Sequence, residues 1–227
     1  MSWMRSAGGI AAAFVLAAAQ ARAEPPPAPM PSASMDAPPP GAEDAEASQW
    51  SFSVSAYTYV VPDDHDYVQP TITADRGWLH LEARYNYEAL ETGSAWVGYN
   101  FSGGEALAWE ITPMIGGVVG DTNGVAPGYK GSLGWWKLEF YSEGEYVFDT
   151  GDSSGHFFYA WSELSLSPVD WGRIGLAGQR TRAYQTDREI QRGVLGGVTY
   201  EGVDLTTYVF DPDTSEPTVV VALGVTF

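Results

Sequence analysis

From residue 50 to residue 227, apolar and polar positions alternate in short runs, and each run ends at a cluster of turn residues. Period-two alternation puts successive side chains on opposite faces of a strand. The pattern predicts twelve strands, at 50–61, 66–74, 77–89, 94–102, 106–118, 125–133, 137–149, 156–167, 171–183, 190–200, 203–211 and 216–227. The separators PDDHD, DRG, ETG, SGG, GDTNG, TGDSSG, SPVD, YEG and DPDTSEP carry turn chemistry. Tyr129 to Asp149 also reads as one long strand, which would make the count odd.

The alternation assigns two faces. Leu79, Leu81, Ala83, Tyr85 and Tyr87 share one face of strand three, and His80, Glu82, Arg84, Asn86 and Glu88 share the other. Strand five puts Leu107, Trp109, Ile111 and Ile115 opposite Glu110, Thr112 and Met114. Strand seven puts Leu138, Phe140, Tyr146 and Phe148 opposite Lys137, Glu139, Tyr141, Glu143 and Glu145. Glu163, Arg173 and Asp204 fall on the polar faces of strands eight, nine and eleven. Nearly every mid-strand charge thus avoids the apolar face, where a charge at a bilayer midplane would cost about 2–4 kcal/mol.

The last run, Thr218 to Phe227, places Val219, Val221, Leu223, Val225 and a terminal aromatic, Phe227, on one face. This ending resembles the C-terminal strand of bacterial outer-membrane β-barrel (porin-like) proteins. The resemblance implies a Gram-negative outer-membrane location. It also implies recognition of 218–227 by the barrel assembly machinery and closure of this strand against the first.

Aromatic residues gather at strand ends. One set holds Trp50, Trp78, Phe101, Trp109, Trp135, Trp171, Tyr200 and Phe227, and the other Tyr59, Tyr67, Tyr87, Trp96, Tyr129, Phe148, Phe157, Tyr184 and Phe210. Two girdles at the two membrane interfaces are the expected reading. The fold class is therefore all-β, a transmembrane antiparallel up-and-down β-barrel of about 12 strands.

Residues 1–23 read as a signal peptide, with Arg5 before an apolar core and Ala21-Arg22-Ala23 as the cleavage site. Residues 24–49 hold eight of the 15 prolines and no basic residue. They are expected to form an extended or disordered periplasmic arm. A net charge of −18 argues against nucleic acid as a partner. The absence of Cys excludes disulfides, thiolate metal sites and a lipid anchor through an N-terminal Cys.

Candidate chemistry lies mainly on the inward face. Glu82, Glu88, Glu110, Glu139, Glu143, Glu145, Glu163 and Asp204 outnumber Arg84, Lys137 and Arg173. That composition suits a narrow cation-favouring passage. It equally suits a closed structural network, because twelve strands enclose less space than a large porin. Arg180 and Arg182 share parity with apolar Leu176. Either a bulge turns them inward, or they meet lipopolysaccharide phosphates at headgroup level. With Arg188 and Arg192 they form the one basic cluster, which a solvated loop also explains.

Asp63-Asp64-His65-Asp66 could bind a cation, but adjacent acids before a strand are ordinary turn residues. His156 stands near Ser153 and Ser154 without a nucleophile motif, so no enzymatic activity, metal or cofactor is expected. The longest outer loop is placed around Gly120-Asp121-Thr122-Asn123-Gly124, at about ten residues, too short for a plug. The expectation is a monomeric pore for small solutes or cations. Its rival is a closed barrel with an interaction role through the arm.

Overall fold

A computed structural model describes residues 49–62, 65–151, 155–181 and 189–227. The predicted leader and nearly all of the arm lie outside these residues, as do Asp63, Asp64, Ser153, Ser154, Arg182, Tyr184 and Arg188.

Among the described residues thirteen strands run in chain order: β1 Ser51–Val60, β2 Tyr67–Arg76, β3 Leu79–Tyr85, β4 Thr92–Tyr99, β5 Phe101–Gly103, β6 Leu107–Gly120, β7 Gly124–Trp135, β8 Leu138–Asp149, β9 Phe157–Val169, β10 Gly172–Thr181, β11 Glu189–Tyr200, β12 Val203–Phe210 and β13 Thr218–Thr226. β4 and β5 flank Asn100 and both pair with β6, so they form one interrupted stave of a twelve-stave wall. Every pairing is antiparallel, and each stave pairs with its sequence neighbours, with β1 against β13 closing the ring. At the seam Phe52 and Phe227 exchange two backbone hydrogen bonds of 2.9 Å. Closure leaves no free sheet edge, the condition for a sheet in lipid.

The predicted strands match these staves to within a few residues. Tyr129 to Asp149 is not one strand. Trp135 pairs with Leu138 across a two-residue turn, and Trp136 takes a left-handed φ of 55° there. The β11–β12 turn is of the same tight kind, with Glu201 at φ 47° and Gly202 at 79°. Paired positive φ values give the primed turn that matches strand twist.

The end carrying Trp50 and Phe227, called the terminal end here, has these short turns. The other, the loop end, carries longer connections, such as the seven residues 211–217. The connection expected to be longest, near Gly120, is only 121–123. The reason is that β6 and β7 stay paired up to Val118 and Gly124, which leaves few residues for a loop.

Leu81, Ile115, Phe140, Leu176 and Leu205 are exposed on the outer wall, while their sequence neighbours face inward. At the terminal end Trp50, Trp78, Phe101, Trp109, Trp135, Trp171, Tyr200 and Phe227 are all exposed. The loop end differs from the expected girdle. Tyr59, Trp96, Phe157 and Phe210 are buried, and Tyr87 is half-buried. Parity is the cause: Tyr59 alternates with exposed Val60, and Trp96 with exposed Val97. Of the described members of that set, only Tyr129 and Phe148 are exposed on the outer wall.

Candidate functional site in the lumen

The inward side chains divide the lumen into an ionic side and an aromatic side. The ionic side is built on β2 to β8. Arg84, 6% exposed, donates through Nε to Glu82 and through Nη1 to Glu145 at 2.7 Å. Its Nη1 also lies 3.9 Å from Glu88. Lys130 donates to Glu82 and lies 4.0 Å from Glu143. His80 bridges Asp75 at 2.7 Å and Glu82 at 3.0 Å. Asn100 donates to Asp75 at 2.8 Å and accepts from Thr112 at 2.7 Å, which extends the network toward the terminal end. Buried charges persist only where they are paired and hydrogen-bonded in this way.

The aromatic side is built on β9 to β13 and β1. Trp161 meets Tyr208 edge-on at 5.1 Å and Phe210 at 5.3 Å. Tyr57 meets Trp161 at 6.1 Å. Val220 and Ala222 of the last strand pack into the same cluster. The polar edges of these rings are satisfied, because Trp161 Nε1 and the Tyr208 hydroxyl both donate to Glu163, at 2.7 and 2.8 Å. Arg173 completes this corner, 3.5 Å from Glu163 and 3.3 Å from Asp204.

One connection folds inward. Asn86 and Glu91 take left-handed φ values of 57° and 54°. Between them, Glu88 and Ala89 are buried. Tyr87 therefore leaves the outward row expected from strand alternation. Its hydroxyl donates to Glu143, and its ring lies 4.2 Å from the Arg84 guanidinium. Glu88 accepts from Ser94 at 2.5 Å and from Trp96 Nε1 at 3.3 Å. The expectation that strand three runs on to residue 89 with Tyr87 outward is thereby corrected, since the strand ends at Tyr85. Six residues suffice, because one positive φ at each end, at Asn86 and at Glu91, turns the chain.

Trp96 can point inward because glycines face it. A Cβ at Gly116 would lie 2.4 Å from its ring, and one at Gly128 3.1 Å.

The candidate residues are thus placed as follows. Glu82, Arg84, Glu88, Glu143 and Glu145 meet in one network, and Glu163, Arg173 and Asp204 in another. Glu110 lines the terminal-end cavity. Glu139 is exposed on the inward-facing row, paired with Gly134 and Ser165. Lys137 does not line the lumen. It sits in the turn beside Trp136 and donates to the Pro168 carbonyl at 2.6 Å, because β8 begins only at Leu138, one residue after it. The lumenal lysine is Lys130, whose signal was its alternation with outward Tyr129.

No register shift occurs between Ile174 and Thr181, so no bulge turns Arg180 inward. It shares the outer face with Leu176, and its guanidinium lies 5.4 Å from the Phe158 ring. At the first outer turn, Asp66 accepts from the Val61 amide at 3.2 Å. His156 accepts from the Asp149 amide at 2.9 Å. No cluster able to hold a metal ion occurs among the described residues.

Among the described residues, two cavities in the lumen adjoin each other. The larger, of about 450 Å³, opens toward the terminal end between Ser53, Thr73, Asp75, His80, Glu110 and Lys130. The smaller, of about 80 Å³, lies between Tyr57, Tyr87, Tyr141, Tyr159, Glu82 and Glu143. Lys130 and Tyr141 border both.

No protein-family model matches the chain, and no curated protein matches it. Solved structures do. The KdgM porin superposes with a TM-score of 0.57 at 12% identity, over 77% of this chain and 99% of that one. The KdgM porin in complex with disordered oligogalacturonate gives the same TM-score at 10% identity, with the same coverage. The chain is similar in fold to the KdgM porin. Likeness at this level of identity is a statement about the wall, and the lumenal side chains must be read for themselves.

Proposed function

We propose that the chain is an outer-membrane channel that passes small solutes and ions passively, with cations favoured. The observation that carries this reading is the pair of polar cavities that adjoin at Lys130 and Tyr141, because together they reach from the terminal end toward the middle of the barrel. Carboxylates supply the preference. Asp75, Glu82, Glu110 and Glu143 border the cavities, against Lys130 and His80. Rings of acidic side chains concentrate cations and repel anions. Oligogalacturonate, the ligand of the solved KdgM complex, is a polyanion, and this lumen has the opposite charge preference.

The proposal extends to placement. The terminal end, with its short turns, faces the periplasm, and the loop end faces outward. Residues 218–227 are read by the assembly machinery. Arg180 and Arg192, on the outer face near the loop end, meet lipopolysaccharide phosphates. The barrel acts as a monomer.

A second reading is a closed barrel with a structural or partner-binding role. The Arg84 network and the Trp161 cluster favour it, because buried side chains fill much of the lumen and the cavity between Tyr57, Tyr87 and Tyr159 measures only about 80 Å³. Planar-bilayer recording separates the two. Single-channel steps support the channel, and silent bilayers with correctly folded protein support the closed barrel.

A further inference from the structure

The smaller cavity has a composition that a plain water passage does not require. Tyr57, Tyr59, Tyr87, Tyr141, Tyr159 and Trp161 surround it. Its polar lining includes Glu82 and Glu143. Both carboxylates are held in place: Glu143 accepts from the Tyr87 and Tyr141 hydroxyls, and Glu82 is 4% exposed within the ion network. At about 80 Å³ the space fits two or three waters at about 30 Å³ each, or one small organic group of that size.

The charged groups lining this space are Glu82, Glu143 and Lys130, and the ion network behind them also carries more acids than permanent cations. Glu82, Glu88, Glu143 and Glu145 surround Arg84 and Lys130, so four carboxylates face two permanent cations. His80 is the further titratable neighbour, on the terminal-end side. In that network, outside the lining of the cavity, Glu88 Oε2 and Glu145 Oε1 are buried without a hydrogen-bond partner, in residues 4% and 3% exposed. The protein already sets a cation against rings here, with the Arg84 guanidinium 4.2 Å from Tyr87 and 4.6 Å from Trp96. Aromatic faces together with desolvated carboxylates are the chemistry that holds ammonium groups.

We propose that this cavity is a binding site for a small organic ammonium ion, with the tyrosine rings contacting its alkyl groups and Glu143 its charge. Access is from the larger cavity past Lys130, and Tyr87 of the inturned loop closes the far side. A bare inorganic cation gains less here, because it would give up its hydration for ring faces and only two carboxylates. The class of solute named deepens the channel reading, and site occupancy can be measured without conduction.

The test uses the folded full-length barrel in detergent micelles, with methylammonium as the probe and saturation-transfer NMR as the readout. The expected result is saturable binding that potassium at the same concentration does not displace. The isosteric variant Glu143→Gln is expected to weaken it about tenfold. Glu139→Gln removes a carboxylate of the same strand that is exposed and outside this cavity, and it is expected to retain binding, which guards against reading a general loss of structure or of negative charge as a loss of the site. Absence of saturable binding overturns the proposal, as does equal competition by potassium or unchanged affinity in Glu143→Gln. Binding in a barrel that is silent in bilayers keeps the ammonium site and removes the channel. Conduction without methylammonium binding does the reverse.

Discussion

Arg84 and Glu145 lie 61 residues apart in the chain and meet at 2.7 Å inside the barrel, although β3 and β8 are not neighbours in the wall. The bond is a chord across the cylinder rather than part of a cross-strand ladder. It ties two separated arcs of the sheet together and takes up the space at mid-height.

Removing the cation should therefore be expensive. Arg84→Met leaves Glu82, Glu88 and Glu145 buried beside a missing partner, and breaking such a pair costs about 3–5 kcal/mol. Denaturant unfolding of the refolded barrel should show a lower midpoint. Adding Glu145→Gln to Arg84→Met should recover part of the loss, because the pair is coupled.

Two adjacent glycines should respond oppositely to the same change. Gly116→Ala drives a Cβ into the Trp96 ring and should destabilise by about 1–3 kcal/mol, as overpacking does. Gly117→Ala meets nothing within 4 Å and should be close to neutral. Unfolding curves of the two variants in one detergent check the contrast.

Tryptophans at the two ends should differ in their contact with lipid. Single-tryptophan variants retaining Trp78, Trp135 or Trp171 should be quenched by brominated lipid, since these side chains are exposed on the outer wall. Variants retaining Trp96 or Trp161, each 3% exposed and inward, should resist it.

The inturned loop should control the passage. Tyr87→Ala removes the hydroxyl bond to Glu143 and the ring over Arg84. Single-channel conductance should rise relative to the wild type. An unchanged conductance would mean that the restriction lies elsewhere.

The wall was legible because alternation is a local property. Leu81, Glu82 and Ala83 declare their faces within three residues, and the strand boundaries follow from the turns between them. The loop-end aromatics were misplaced because their position along a strand was read without their parity; Tyr59 lies at a strand end yet faces the lumen with Tyr57. Lys130 followed the same alternation rule, with Tyr129 as its outward neighbour. The inturned loop was not legible, because Tyr87 is fixed by Glu143, 56 residues away, and by the left-handed conformation of Asn86 and Glu91. The pairing of the lumenal acids is long-range in the same sense. Composition counts Glu82, Glu88 and Glu145 but cannot say that one arginine serves all three.

The most direct test of the account is the reversal potential of the purified barrel in a planar bilayer under a potassium chloride gradient. The account predicts small conductance steps and a reversal potential displaced toward the potassium equilibrium potential, as the carboxylate-lined cavities require. Displacement toward the chloride potential would contradict it, and so would the absence of any steps.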